Sequence, residues 1–271
     1  MGEPETLLLV ASGAATGFVG ALLGLGGGIF LVPLLSLVLQ LPIRTAIGAS
    51  LVSVIATASA STTVNLNRGF VNLRLGVGLE AATSIGGLTG GVLASFLTQR
   101  QLFLVFGSTL LVMGMLVLLR SRRRNVIPDD DVEPGPLGGR LQEGEHVYVY
   151  RVKRLPFGLG ASLAAGAISG LLGVGGGIVT VPALNTFCGI PIRVAAATSA
   201  FMIGVTAAAS AFIYWHRGDI SPAISAAVAL GALPAGLLGA HLSERIEPRL
   251  LKIVMATVLL LMGVRMGLEG L

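Results

Sequence analysis

Charged side chains are scarce in this sequence, because Asp, Glu, Lys and Arg together make up only 11% of its 271 residues. A soluble domain carries about 25% charged residues, so a soluble globular protein is excluded. Hydrophobic residues make up 54% of the chain, and the mean hydropathy is +0.87. The composition therefore predicts an all-α polytopic membrane protein, since helices satisfy their own backbone hydrogen bonds inside a bilayer.

Cysteine is nearly absent as well, and the single Cys188 excludes an intrachain disulfide. No Cys and His spacing is typical of a structural metal site, and no Walker A loop indicates ATP hydrolysis. No G-x-S-x-G motif or intramembrane Ser–His pair indicates a nucleophilic enzyme. We therefore expect neither an enzyme nor a bound metal or cofactor.

The net charge of +5 would suggest nucleic acid as a partner if the protein were soluble. Here the basic residues lie at the ends of apolar segments and in one loop, so membrane topology explains them better. Glycine, in contrast, is abundant at 39 residues. Its frequency is typical of membrane helices that pack closely on small residues.

An internal repeat organises the chain. The pentapeptide GLGGG at 24–28 recurs as GVGGG at 173–177, an offset of 149 residues. From 17 to 69 the same ungapped offset gives 22 identities in 53 positions, with matched Pro, Arg and Ser residues. Glycine-rich composition alone would not produce those matches. The sequence therefore predicts two homologous repeats, 1–120 and 156–271, joined by a charged cytoplasmic linker at 121–155.

Each repeat contains four to five hydrophobic segments. They lie at 7–23, 29–39, 45–64, 73–97 and 102–119, and again at 157–172, 178–188, 194–215, 221–242 and 250–267. The segment 29–39 is about 16 Å long as a helix, too short for a hydrocarbon core of about 30 Å. We expect this segment and its counterpart 178–188 to be short broken half-helices behind the glycine triplets, a pairing typical of a transporter's central site.

The linker contains three consecutive Asp residues and three prolines, which predict a solvated loop. Alternating residues at 146–152 indicate a short strand, and a small hairpin outside the membrane is compatible with them. With the linker inside, inverted repeats leave 14 basic residues inside and four outside, whereas parallel repeats give 12 and six. The positive-inside rule therefore favours the inverted arrangement.

The glycine triplets are the first candidate site. A glycine break followed by a helix leaves free N–H groups and the positive end of the helix dipole directed at one point. Two such breaks brought together near the membrane midplane would form an anion site, while close helix packing is the alternative. The candidate ligands are Gly26, Gly27, Gly28, Gly175, Gly176 and Gly177.

The same stretches resemble a known family. The pattern G-x-L-x-G-[LV]-G-G-G-[IF]-x-x-V-P-x-L fits residues 20–35 and, with Ser169 in place of the first glycine, residues 169–184. P-I-R-x-A follows at 42–46 and 191–195. The chain thus resembles the sulfite exporter TauE/SafE family, also called the DUF81 transporter family. The resemblance implies an inner-membrane exporter of small sulfur oxyanions or organosulfonates, such as sulfite or sulfoacetate.

Further candidate ligands follow the half-helices in both repeats. Arg44 and Arg193 could bind an oxyanion through the guanidinium fork, or could anchor helix ends at the interface. Ser50 and Ser199 could donate hydroxyls to an oxyanion, or could satisfy helix carbonyls. Glu80, which aligns with an alanine, is the candidate for proton coupling, and a surface ion pair with Arg74 is the alternative.

These features together predict a secondary transporter that exports a small sulfur-containing anion across the cytoplasmic membrane by alternating access, with proton coupling left open. A divalent-cation transporter or an ion channel is the alternative function. The expected partners are a small anionic substrate and the lipid bilayer, without nucleic acid, and the sequence leaves a homodimer open.

Overall fold

Helices form wherever the sequence has an apolar run. The computed structural model describes residues 2–120, 135–143, 146–243 and 248–270. The first half contains the helices α1 (Glu3–Leu23), α2 (Gly28–Pro33), α3 (Ile43–Asn67), α4 (Leu73–Phe96) and α5 (Gln99–Arg120). The strands β1 (Gly139–Glu143) and β2 (His146–Tyr150) follow, and then α6 (Leu155–Leu172), α7 (Gly177–Thr186), α8 (Ile192–His216), α9 (Pro222–Leu242) and α10 (Pro248–Glu269).

Six of these helices are long and apolar enough to cross a membrane: α1, α3, α4, α6, α8 and α9. They have 18 to 25 residues each, which matches the roughly 20 residues that a membrane span needs. The predicted all-α polytopic membrane fold is confirmed.

Two helices are too short to span. Pro33 ends α2, and the chain continues as a π-helical turn, Leu34–Val38, in which the N–H of Leu39 donates to the carbonyl of Leu34. The wider turn follows directly on a proline, which lacks an N–H group to donate within the helix. The combined helical segment, Gly28–Val38, and the 10-residue α7 occupy the places where the sequence predicts half-helices.

Corresponding helices in the two halves have matching bounds. Helices α3 and α8 each have 25 residues, α5 and α10 each have 22, and both pairs begin 149 positions apart. The packing between the halves is reciprocal, because α1 packs on α9 and α4 packs on α6. Helices α3 and α8 pack on each other, as do α5 and α10.

Glycine makes the reciprocal contacts close. A Cβ added at Gly13 or Gly231 would collide with the α9 or α1 backbone, and one added at Gly90 or Gly170 would collide with the α6 or α4 backbone. Small residues allow membrane helices to approach in this way. Gly13, Gly90, Gly170 and Gly231 are therefore packing residues.

The linker contains the strand and hairpin expected from the alternating residues at 146–152, but the hairpin is not a solvated loop. Strands β1 and β2 pair antiparallel with Gly139 opposite Tyr150, and Leu141 and Tyr150 are each only 4% exposed. Both pack in a cluster with Leu75 of α4 and Leu184 of α7. Because burial disfavours the phenolate, it raises the pKa of Tyr150. The hairpin is therefore docked on the helices, while linker residues 121–134 and 144–145 lie outside the described residues.

Candidate substrate site

The two glycine triplets form sharp turns with left-handed backbone angles. Gly26 and Gly27 have φ values of 81° and 77°, and Gly175 and Gly176 have φ values of 88° and 58°. Residues with a Cβ rarely adopt these angles, whereas glycine does so without strain. The turns therefore need glycine for their backbone shape, whatever ligand they bind.

These turns meet in the centre of the molecule. A Cβ at Gly26 would lie 3.1 Å from Ile203 Cγ2 and 3.2 Å from Val54 Cγ1. A Cβ at Gly175 would lie 3.0 Å and 3.3 Å from the same two atoms. Val54 and Ile203 occupy matching positions near the middle of α3 and α8 and are almost fully buried. The structure thus brings the two predicted triplets together.

A short helix begins at each turn. The carbonyl of Gly27 accepts from the N–H groups of Phe30 and Leu31, and the carbonyl of Gly176 accepts from those of Val179 and Thr180. The first N–H groups of any α-helix have no partner within that helix, and they carry the positive end of its dipole. Helices α2 and α7 therefore both begin at the place where the glycine turns touch.

The two predicted serines differ in their partners. Ser50 Oγ donates to the carbonyl oxygen of Gly173 at 2.8 Å, and a Cβ at Gly28 would lie 2.7 Å from the same Oγ. Ser199 is 0% exposed, and its hydroxyl has no hydrogen-bond partner among the residues described. Of the two predicted serines, Ser199 is therefore the one whose buried hydroxyl has no partner among the described residues.

The two predicted arginines lie at helix ends. Arg44 donates through Nη2 to the carbonyls of Leu97 at 2.7 Å and Ser95 at 3.5 Å. A cation at the carbonyl end of a helix is stabilised by the helix dipole. Arg193 is exposed on the first turn of α8. The structure joins Arg44 to the end of α4, and a role of either guanidinium in binding an anion stays a prediction.

Glu80 is half-buried on α4 and faces α8. Its Oε1 accepts from Ser84 Oγ at 2.8 Å and from Thr206 Oγ1 at 3.0 Å. Its Oε2 is buried without a hydrogen-bond partner in the described part of the chain. The carboxylate therefore contacts hydroxyls of α4 and α8 instead of forming an ion pair with Arg74.

Each glycine turn borders a small cavity. The α7 cavity measures about 10 Å³, which is about the space that one water molecule needs. Three threonines line it together with small and apolar residues: Thr83, Thr180 and Thr206 with Ala165, Gly166, Gly175, Gly176, Met202 and Ile203. The α2 cavity has no room for a water molecule and is lined by Gly20, Ala21, Gly24, Gly26, Thr57, Ala58, Ser61 and Ala200. A sulfur oxyanion is larger than water, so the helices must move before the α7 cavity can hold one.

Sequence reasoning missed Thr83 and Thr180 as lining residues. Thr83 lies one helical turn after Glu80, and its Oγ1 donates to the Glu80 carbonyl at 3.0 Å. Thr180 Oγ1 donates to the carbonyl of Gly176 at 3.2 Å. The spacing of three or four residues from a candidate site residue could have indicated both.

The chain matches a known family of membrane proteins along almost its full length. A family model described as Sulfite exporter TauE/SafE matches residues 9–266. The chain belongs to the TauE/SafE sulfite exporter family. The resemblance inferred from the glycine motifs is therefore confirmed, and the match includes both halves of the chain.

Several curated relatives share nearly the full length with this TauE/SafE chain. The probable membrane transporter protein YunE of Bacillus subtilis is 28% identical over 272 residues, covering 98% of each chain. A probable membrane transporter protein of Xylella fastidiosa is 28% identical over 240 residues, covering 88% of this chain and 85% of its own. One of Methanocaldococcus jannaschii is 25% identical over 276 residues, covering 96% and 94%. No solved structure matches the chain.

The family and the fold together define the class of protein. This TauE/SafE member is a multi-pass membrane transporter and not an enzyme. The inner membrane is the usual location of the family.

Proposed function

We propose that this transporter exports a small sulfur-containing anion, sulfite or an organosulfonate such as sulfoacetate, across the cytoplasmic membrane. The observation that carries the proposal is the meeting of the two glycine turns, where α2 and α7 both begin. Backbone N–H groups and helix dipoles at such a point favour a negatively charged ligand. The buried hydroxyl of Ser199, which has no partner among the described residues, can donate a hydrogen bond that an oxyanion accepts.

Inverted repeats are part of this proposal. Helices α5 and α10 correspond to each other and run antiparallel, since Gly107 lies against Gly263 and Gly267 whereas Gly114 lies against Ala256 and Leu260. Corresponding helices that point in opposite directions require a pseudo-two-fold axis in the membrane plane. The antiparallel contact therefore supports two halves of opposite orientation.

The ends of the helices agree with this orientation. Arg68 Nη1 donates to the carbonyl of Ala240 at 3.2 Å, and Arg217 Nη1 donates to the carbonyl of Gly91 at 3.4 Å. The two contacts are related by the same 149-residue offset. Asn72, four residues after Arg68, donates to the carbonyl of Leu137 in the linker at 2.9 Å. Arg68 thus lies at the linker end of the molecule, as the count of basic residues for inverted repeats requires.

The closed centre of the molecule supports transport by alternating access. Val54 and Ile203 contact both glycine turns, and the α7 cavity has room for about one water molecule. A substrate could enter only if α2 or α7 moved relative to α3 and α8. The glycine turns, whose angles already lie outside the helical region, are the natural hinges for that movement.

A divalent-cation transporter is the alternative function from the sequence, and within the described ranges no three His, Cys, Asp or Glu side chains are grouped to hold a metal ion. The test is the thermal stability of purified protein in detergent across sulfite, sulfate, thiosulfate, sulfoacetate, taurine, phosphate and chloride, with Ni²⁺ and Co²⁺ as cation arms. A ligand at 100 times its Kd stabilises the folded protein by about 2.7 kcal/mol. Stabilisation by a sulfur anion supports the proposal, and stabilisation by a divalent cation alone would overturn it.

A further inference from the structure

We propose that Thr206 couples protonation of Glu80 to anion binding in the α7 cavity, so that the proton and the anion cross the membrane together. The inference rests on the proposed function and assigns a positioning residue to it. Thr206 is 3% exposed, lines the α7 cavity, and donates its hydroxyl to Glu80 Oε1 at 3.0 Å. The Thr206 side chain therefore contacts the carboxylate and belongs to a residue that borders the space for the substrate.

The hydroxyl of Thr206 has only one proton to donate, so the two sites compete for it. When Glu80 is ionised, the hydrogen bond from Thr206 is charge-assisted and about twice as strong as a neutral one. The carboxylate charge also repels an anion in the adjacent cavity. When Glu80 is protonated, both effects weaken, and the Thr206 hydroxyl can rotate toward the anion.

Glu80 Oε2 is the atom that can take the proton, since it is buried without a hydrogen-bond partner in the described ranges, whereas Oε1 already accepts two hydroxyls. Binding linkage is reciprocal. If protonation strengthens anion binding, the bound anion must strengthen proton binding by the same factor. Loaded carriers are then protonated and empty carriers can release the proton.

Other ionisable groups near Glu80 are few. Helices α6 and α7 contain none. Helix α8 contains Arg193 on its first turn and Tyr214 and His216 on its last, and α4 contains Arg74 on its first turn. From the side of the docked hairpin, Cys188 and Tyr150 pack with Leu79, the neighbour of Glu80. Among the ionisable groups of these described elements, Glu80 is therefore the carboxylate whose charge would change on titration.

The α2 cavity offers an internal comparison. Thr57 occupies the position that matches Thr206, but its hydroxyl donates to the carbonyl of Ser53 at 2.9 Å. Ala229 occupies the position that matches Glu80. The coupling is therefore built into one half of the transporter only, and Thr57 is the matched control residue.

The test measures exchange of radiolabelled sulfoacetate, with sulfite in parallel, by the full chain in proteoliposomes at pH 6 and pH 8. Allosteric coupling commonly changes affinity 5–150-fold, so we expect wild-type half-saturation to differ by about tenfold between these pH values. An inward proton gradient should also drive accumulation. Thr206→Val should bring the pH ratio close to one and abolish proton-driven accumulation, whereas Thr57→Val should keep the wild-type ratio whatever its absolute rate.

Two further variants complete the experiment. Glu80→Gln should exchange the anion without pH dependence. Thr206→Ser, which keeps the hydroxyl, should keep the wild-type pH ratio, and it is the second variant to measure if Thr206→Val fails to fold. A wild-type pH ratio in folded Thr206→Val, an equal loss in Thr57→Val, or dependence on Na⁺ instead of pH would overturn the inference alone. If wild-type protein exchanges neither anion, the proposed function fails and the coupling fails with it.

Discussion

The Ser50 hydroxyl donates to the carbonyl oxygen of Gly173 at 2.8 Å and so joins α3 to the glycine turn of the other half. The matching hydroxyl of Ser199 is equally buried and has no partner among the described residues. The hydrogen bond between the halves is therefore formed on one side, and the free donor lies on the other. Two residues that the sequence presents as equivalent have different environments.

Removal of each hydroxyl in turn should affect stability differently, because only the Ser50 hydroxyl makes a hydrogen bond to the described residues. Ser50→Ala leaves the buried carbonyl of Gly173 without this donor, and an unsatisfied buried polar group destabilises a protein by about 1–3 kcal/mol. Ser199→Ala removes a hydroxyl that makes no hydrogen bond, so its stability should stay near that of wild type. Thermal unfolding of both variants in the same detergent checks this difference, and equal destabilisation would contradict it.

Ser199→Ala should instead weaken the response to an anion. If Ser199 donates to the substrate, loss of one hydrogen bond to a charged group reduces the free energy of binding by about 1.5–3 kcal/mol, equivalent to a rise in Kd of about tenfold or more. Titration of the stabilising anion against wild type and Ser199→Ala measures the change. An unaltered Kd would exclude Ser199 from the anion site.

A side chain at Gly27 should destabilise the protein by more than the left-handed backbone angle alone explains. Gly27 has a φ of 77°, and a Cβ there would lie 2.6 Å from the Thr16 carbonyl oxygen. Gly69 has a φ of 69°, and a Cβ there would meet no described atom within 4 Å, so Gly69→Ala adds only the left-handed strain of about 1–2 kcal/mol. We expect Gly27→Ala to lower the unfolding temperature clearly more than Gly69→Ala, and the reverse order would contradict this.

The same geometry limits what glycine variants can reveal about transport. A bulky side chain at Gly27 disturbs the contact between α1 and its own turn, whether or not the turn binds an anion. Loss of activity in such a variant therefore does not separate a binding role from a packing role. The serine pair and the Thr206 and Thr57 pair provide the separation that the glycines lack.

Gly90 and Gly78, both on α4, form a matched pair that tests the close packing of α4 on α6. A Cβ at Gly90 would collide with the carbonyl oxygen of Ala167 and lie 2.9 Å from the Leu171 nitrogen. A Cβ at Gly78 on the same helix would meet no described atom of another element within 4 Å. Gly90→Ala should therefore reduce the yield of folded monodisperse protein. Gly78→Ala should be neutral or should stabilise α4 by up to about 1 kcal/mol. Size-exclusion profiles and unfolding temperatures test the pair.

The docked hairpin depends on Asn72. Its side chain donates to the Leu137 carbonyl at 2.9 Å and to Tyr150 Oη at 3.0 Å, and accepts from the Leu75 N–H at 3.1 Å. Asn72→Asp keeps the capping acceptor but removes both donors, so 139–150 should exchange amide hydrogens faster. Asn72→Ala should in addition weaken the start of α4 by about 1 kcal/mol. Unchanged exchange in both variants would show that the apolar cluster alone holds the hairpin.

The elements that sequence reasoning predicted well are those with local causes. Glycine and proline determine backbone angles within a few residues, so the half-helix expected at 29–39 is observed at Gly28–Val38. The family motif is local in the same sense. Long apolar segments likewise predict spans from composition alone.

The elements that it missed depend on how helices face each other. The contact between Glu80 and Thr206 joins residues 126 positions apart, and an apolar helix carries little pattern to show which side faces its neighbour. The docking of Leu141 and Tyr150 was missed because the charged linker was interpreted by its average composition. The partner of Arg44 was also hidden, since carbonyls at a helix end have no sequence signature.

Substrate counterflow in proteoliposomes tests directly whether the protein carries a small sulfur-containing anion by alternating access. Vesicles containing the purified transporter are loaded with unlabelled sulfite or sulfoacetate and diluted into a trace of the same labelled anion. We expect a transient accumulation of label above equilibrium, which protein-free vesicles do not show, because an alternating-access carrier exchanges anion for anion. Absence of counterflow with every sulfur anion, together with counterflow of Ni²⁺ or Co²⁺, would contradict it.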